Sequence, residues 1–117
     1  MAAVLFLSSD LMFSSRVVGA AKTLGVPLQL VADPLALPSK VAADCRLAFV
    51  DLSLDNLNLP VAVASIKSAA PTARVIGYGP HVDTNLLAEA SAAGCDVVLT
   101  RGQFNQQYAE LLRVVAS

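Results

Sequence analysis

The sequence predicts a single α/β domain of five strand–helix units, a (βα)5 arrangement closing into a doubly wound parallel sheet. Three observations predict it. Five short apolar runs recur along the 117 residues, each continuous instead of alternating, as strands buried on both faces of a parallel sheet are. Between them, apolar residues change to helical spacing, so strand and helix alternate. Finally, 56% hydrophobic residues, 15% charged residues and a mean hydropathy of +0.63 demand extensive burial and exclude a disordered chain.

The first run is Val4–Leu7, and after it Phe13, Val17, Ala21 and Leu24 recur at helical spacing until Gly25 and Pro27 supply a stop. The second run is Leu28–Ala32. Pro34 and Pro38 then interrupt the chain, so the next helix is short, Pro38 to Ala43 with Pro38 in its first turn. The third run is Leu47–Val50. Leu52 to Leu59 reads as a loop, and Pro60 opens a helix to about Ala69 whose apolar surface comes from Val61, Ala64 and Ile66. The fourth run is Arg74–Tyr78. Asp83 is placed to cap a helix carrying Leu86, Leu87 and Ala90, which Gly94 ends. The fifth run is Asp96–Thr100, and Phe104, Tyr108, Leu111 and Val115 form one stripe of a last helix with Gln103 or Asn105 near its start.

Right-handed crossovers put helices on both faces of such a sheet, and the usual strand order at this size is the flavodoxin-like 2-1-3-4-5. That order places a functional site at the carboxyl ends of strands 1 and 3, where Ser8, Ser9, Asp10 and Asp51 converge. Residues 1–117 are read as one domain.

Charge and motif content exclude several classes. Formal net charge is -1 and the lysines and arginines are scattered singly, so there is no basic stripe for a nucleic-acid partner. No apolar run approaches the ~20 residues that span a bilayer. The opening MAAVLFLSSD lacks the basic start of a leader, and its apolar stretch is only Ala2 to Leu7. A cytoplasmic domain without membrane contact is expected, with Cys45 and Cys95 as reduced core thiols. His81 has no Cys, Asp or Glu at ligand spacing and reads as a solvent-facing loop residue, so no metal site is expected. The stretch GYGP, residues 77–80, lacks phosphate-loop spacing and reads as a tight turn. No Ser-His-Asp or Cys-His spacing supports nucleophilic catalysis.

Three stretches carry a resemblance. LAFVDLSLDNLNLP, residues 47–60, resembles the third strand, phosphoacceptor aspartate and following loop of response-regulator receiver domains. AAGCDVVLTRGQF, residues 92–104, is similar to that family's Ala-Gly-x-x-x-[Tyr/Phe]-Leu-x-Lys-Pro-Phe signature, and ARVIGYGP, residues 73–80, resembles its fourth strand. In element order the likeness covers nearly the whole chain. It implies that Asp51 stands at the phosphoacceptor position.

The departures fall on the chemistry. Ser8 and Ser9 stand where receivers carry the paired carboxylates that hold Mg²⁺, and only a one-residue slip brings Asp10 to the second position. Gly79 replaces the strand-four hydroxyl, Arg101 the strand-five lysine, Gly102 the proline after it, and Val98 the aromatic switch residue. Mg²⁺ wants near-octahedral oxygen ligation with one or two carboxylates, and arginine lacks the compact ammonium of lysine. Phosphoryl transfer rests on positioning and electrostatic stabilisation, so these losses are hard to offset. The resemblance therefore implies a degenerate pseudo-receiver. It would be a non-enzymatic signalling or scaffold domain without cofactor or metal, in which Asp51 pairs with Arg101 and is not phosphorylated. It would bind a protein partner or a second copy through the helix 4–strand 5–helix 5 face. Two other readings stay open at this point, a weak Mg²⁺-dependent phosphoacceptor using Asp51 with Asp10, and a flavodoxin-like module holding a small ligand at the strand ends.

Overall fold

The computed structural model describes residues 3–116, so Ala2 of the opening apolar stretch lies outside the described residues. Strands β1 (Val4–Leu7), β2 (Leu28–Val31), β3 (Leu47–Asp51), β4 (Arg74–Gly79) and β5 (Val97–Thr100) form one parallel sheet in the order β2-β1-β3-β4-β5. This is the expected flavodoxin-like doubly wound topology. Strand ends differ from the apolar runs by one residue: β3 and β4 run on through Asp51 and Gly79, β2 stops at Val31, and β5 starts at Val97. Backbone pairing, not side-chain polarity, sets where a strand stops, and Asp51 pairs with Tyr78 as regularly as the apolar residues before it.

Five helices cover the sheet: α1 (Leu11–Leu24), α2 (Leu37–Lys40), α3 (Leu59–Ala69), α4 (Thr84–Ala92) and α5 (Arg101–Ala116). Most begin on a side-chain cap. Asp10, Asn58 and Asp83 accept from the backbone N–H of Phe13, Val61 and Leu86, satisfying donors that the first helical turn leaves orphaned. Thr100 and Gln103 cap α5 reciprocally, each side chain bonding the other's backbone N–H. Helix α5 therefore starts at Arg101, directly off β5, with Gln103 near its start as expected. Gly25 ends α1 in the left-handed conformation at φ 70°, which a side chain would strain.

Two expectations are corrected. The second helix is short with Pro38 in its first turn, as expected, but it spans Leu37–Lys40 and not Pro38–Ala43, and Asp33 caps a 3-10 turn over Pro34–Ala36 that runs into it. On α3 the buried face is Leu59, Ala62, Val63 and Ile66, while Val61 and Ala64 point outward. The helix begins one residue before Pro60, and its inward face is set from Leu59.

The two faces of the sheet have different chemistry. Against α1 and α5 lie Val4, Phe6, Phe49, Ile76 and Tyr78 of the sheet with Val17, Ala21, Phe104 and Leu112 of the helices. All six aromatic residues, Phe6, Phe13, Phe49, Tyr78, Phe104 and Tyr108, pack on this side. The face under α2, α3 and α4 is aliphatic, built from Leu5, Leu7, Val50, Leu52, Leu54 and Ile66 among others. Cys45 and Cys95 are separate buried thiols on that second face. One polar bridge crosses it: Asp96, just before β5, accepts from Lys67 Nζ of α3 at 2.9 Å and from the Val75 N–H of β4 at 2.8 Å.

Candidate functional site

β1 and β3 are neighbours with Leu7 opposite Val50, so Ser8, just past β1, and Asp51, the last residue of β3, lie side by side. Asp51 is only 3% exposed, and a carboxylate there is costly unless donors replace its water. They do. Ser8 Oγ donates to Asp51 Oδ2 at 2.8 Å, while the Ser53 N–H and Oγ donate to Oδ1 at 3.0 and 2.6 Å. Ser8 Oγ in turn accepts from the Asp10 N–H at 3.1 Å. Neutral hydroxyls and amides from β1 and the β3–α3 loop thus hold the carboxylate.

Asp10 and Arg101 form a second layer nearer solvent. Asp10 uses Oδ1 to cap α1 and Oδ2 to pair with Arg101 Nη2, whose guanidinium also lies 5.6 Å from the centre of the Phe13 ring. The Arg101 side chain is 45% exposed, so this pair adds little stability. The expected Arg101–Asp51 pair is therefore corrected. Arg101 pairs with Asp10 instead, because drawing a guanidinium down to a buried carboxylate would desolvate two charges. The one-residue slip is not adopted either: Ser8 occupies the position beside Asp51, Asp10 is a helix cap, and Ser9 is exposed.

The remaining predicted positions fall around this cluster. Gly79 lies at the carboxyl end of β4, opposite Thr100, and the side chain of Leu52 lies over it. A Cβ at Gly79 would meet Leu52 Cβ at 3.4 Å and Leu86 Cδ2 at 3.5 Å, whereas one at Gly77 would meet Leu52 Cδ2 and Cys95 Sγ at 3.2 Å. Leucine thus fills space beside strand four at the place where the resemblance expects a hydroxyl. Val98 is half-buried against the aliphatic face. His81 is exposed in the turn after Pro80.

Two participants escaped the sequence reading. Ser53 supplies two of the three bonds to Asp51, and its place two residues after an aspartate at a strand end is the Asx-turn signal that could have found it. Tyr78 is fully buried and stacked on Phe104, with ring centres 4.1 Å apart and planes 5° from parallel. Its hydroxyl completes no hydrogen bond among the described residues. Burial pushes its pKa up and the Asp51 carboxylate adds to this, while nearby Ser8 and Arg101 pull it back. An aromatic with a hydroxyl between Gly77 and Gly79, after the apolar Val75 and Ile76, was the available signal.

A hard cation here would have to displace existing partners, because both oxygens of Asp51 accept hydrogen bonds from Ser8 and Ser53, and those of Asp10 are engaged by the Phe13 N–H and Arg101. What the arrangement does chemically is hold one carboxylate in a fixed, water-poor setting.

Neither a family model nor a curated protein matches the sequence. Solved structures match its fold. The chemotaxis response regulator CheY4 of Vibrio cholerae is similar at a TM-score of 0.76 and 17% identity, with 98% of each chain covered. The receiver domain of NtrX from Brucella abortus gives 0.71 and 16%, with 97% of each chain covered. The beryllofluoride-activated NtrC4 receiver domain dimer gives 0.71 and 14%, covering 96% of this chain and 97% of that one. At these identities the likeness establishes a receiver fold spanning the described chain.

Proposed function

We propose that residues 1–117 act as a pseudo-receiver: a non-enzymatic, cytoplasmic signalling or scaffold domain that works by binding a protein partner or a second copy of itself, with Asp51 unphosphorylated. The receiver fold points to a signalling role of the two-component kind. One observation carries the finer reading: Ser8 and Ser53 occupy the Asp51 carboxylate with three hydrogen bonds, and no second free acid stands beside it. A phosphoacceptor needs an accessible oxygen, a metal and a cation close to the developing charge. Here the oxygens are engaged and Arg101 is turned to Asp10. Asp51 then serves as a strand-end anchor tying β1 to the β3–α3 loop.

Coupling is also weakened. A change at one site biases another only through an element with two accessible arrangements. Gly79 brings no hydroxyl and Val98 no rotating ring, so partner binding through α4, β5 and α5 is constitutive in this reading. That NtrC4 is a receiver dimer shows such folds can self-associate. Val114 on α5 is 61% exposed and serves as the position that probes binding through the last helix.

The test compares wild type, Asp51→Asn and Val114→Glu by sedimentation and Mg²⁺ titration, with and without beryllofluoride. Mg²⁺ should bind no tighter than the millimolar range, and assembly or partner binding should respond to Val114→Glu alone. A beryllofluoride-dependent shift in assembly that Asp51→Asn abolishes would overturn the proposal.

A further inference from the structure

The aliphatic face is not closed. Helices α3 and α4 barely touch, and between α4 and the β3–α3 loop runs an open groove of about 740 Å³. Leu52, Leu54 and Leu57 form its floor and one wall, and Leu86 and Glu89 of α4 with Ala93 at its end form the other. The α4 residues lie at spacings of three and four, which puts them on one helical face. Gly77 and Gly79 deepen the groove, since without side chains they let Leu52 settle onto the sheet.

The charge around this groove has one sign. The segments that wall it, residues 52–60 and 83–94, carry Asp55, Asp83 and Glu89 and no lysine or arginine. Lys22 and Lys40 lie in the last turns of α1 and α2, and Lys67, in the last turn of α3, is already paired with Asp96. An apolar trough along a helix, lined by leucines and alanines and flanked by carboxylates, is complementary to an apolar helix face with basic flanks.

We propose that this groove is a docking site for a basic amphipathic helix of a partner protein. The helix would lie along α4, seat apolar side chains spaced i, i+3 or i+4 on Leu52, Leu54 and Leu86, and set a lysine or arginine against Glu89. The site is separate from the α4–β5–α5 face and does not depend on whether Asp51 accepts a phosphoryl group.

The probe is a synthetic Leu/Lys amphipathic peptide of about 14 residues, roughly four turns, with a Leu/Glu peptide of the same apolar pattern as control. Isotope-labelled protein is titrated with each and amide shifts are followed. The Leu/Lys peptide should shift residues 52–60 and 83–93 saturably, with an affinity on the order of 10–100 μM, while the Leu/Glu peptide leaves them still. Glu89→Lys, on the exposed rim, and Ala92→Trp, which fills the groove, should each weaken binding roughly tenfold. No saturable shift at millimolar peptide, shifts on α5 instead, or equal binding by both peptides would overturn the proposal. So would binding of a neutral octyl detergent to the same residues, as tight as the peptide and indifferent to Glu89→Lys, which would assign the groove to small apolar ligands.

Discussion

The α1/α5 face and the α2–α4 face cover the same five strands, yet one is sealed and the other is not. On the first, Phe104 touches five other rings, with centre-to-centre distances from 4.1 Å to Tyr78 up to 6.1 Å to Phe6. Rings interlock edge to face and leave little slack. On the second, leucines, valines and alanines supply burial without large plates to bridge from helix to helix, and the space between α3 and α4 remains open. Rigidity and binding capacity have gone to opposite sides of one sheet.

The contrast can be broken most forcefully at Phe104. Phe104→Ala should cost about 3–5 kcal/mol, because the ring is fully buried and its neighbours cannot all collapse into the gap. Leu54→Ala at the groove wall should cost about 2 kcal/mol or less, since that side chain already borders open space. Urea unfolding of both variants checks this; equal losses would mean the two faces are packed alike.

A smaller effect separates the two glycines beneath Leu52. Gly77→Ala should destabilise by about 1–3 kcal/mol, because its new methyl would press on Leu52 and Cys95 at 3.2 Å. Gly79→Ala meets only ordinary contacts and should lie within about 1 kcal/mol of wild type. Thermal melts of the pair would show whether Leu52 is seated as tightly as the distances indicate.

The smallest effect concerns the polar bridge on the aliphatic side. Lys67 and the Val75 N–H hold the Asp96 carboxyl below its ordinary range. A carboxylate whose pKa is lower folded than unfolded stabilises the fold above the unfolded value, and that contribution is lost as pH falls through the folded one. The side chains are 36% exposed, so the gain is under about 1 kcal/mol. Stability of wild type minus that of Asp96→Asn, followed from pH 7 into the acid range, should shrink as Asp96 protonates. A difference that stays flat would remove Asp96 from the acid response.

Much of this contrast was legible in the sequence and some was not. Val4–Leu7 and Leu47–Val50 announce buried strands because a parallel sheet covered on both sides needs apolar residues at every position. Asp10 was read as a metal-pocket candidate although it caps a helix, because capping and ligation use the same residue type. Partnership across the site was misassigned for a similar reason: topology brings Arg101, Asp10 and Asp51 together, but which carboxylate the guanidinium meets depends on depth, and depth is invisible in a string of letters. The groove was illegible altogether. It arises from what is missing between α3 and α4, and of the Val61, Ala64 and Ile66 read as that helix's apolar surface only Ile66 faces the core, with Leu59, Ala62 and Val63.

The segregation of rings has a spectroscopic consequence. The chain has no tryptophan, and both tyrosines and all four phenylalanines belong to the α1/α5 side. Near-ultraviolet circular dichroism, which senses aromatic rings in fixed asymmetric surroundings, therefore reports on that side alone, while far-ultraviolet ellipticity averages over all five helices. The two signals form a pair of independent gauges, so loosening around α3 and α4 would dim the second while the first held steady.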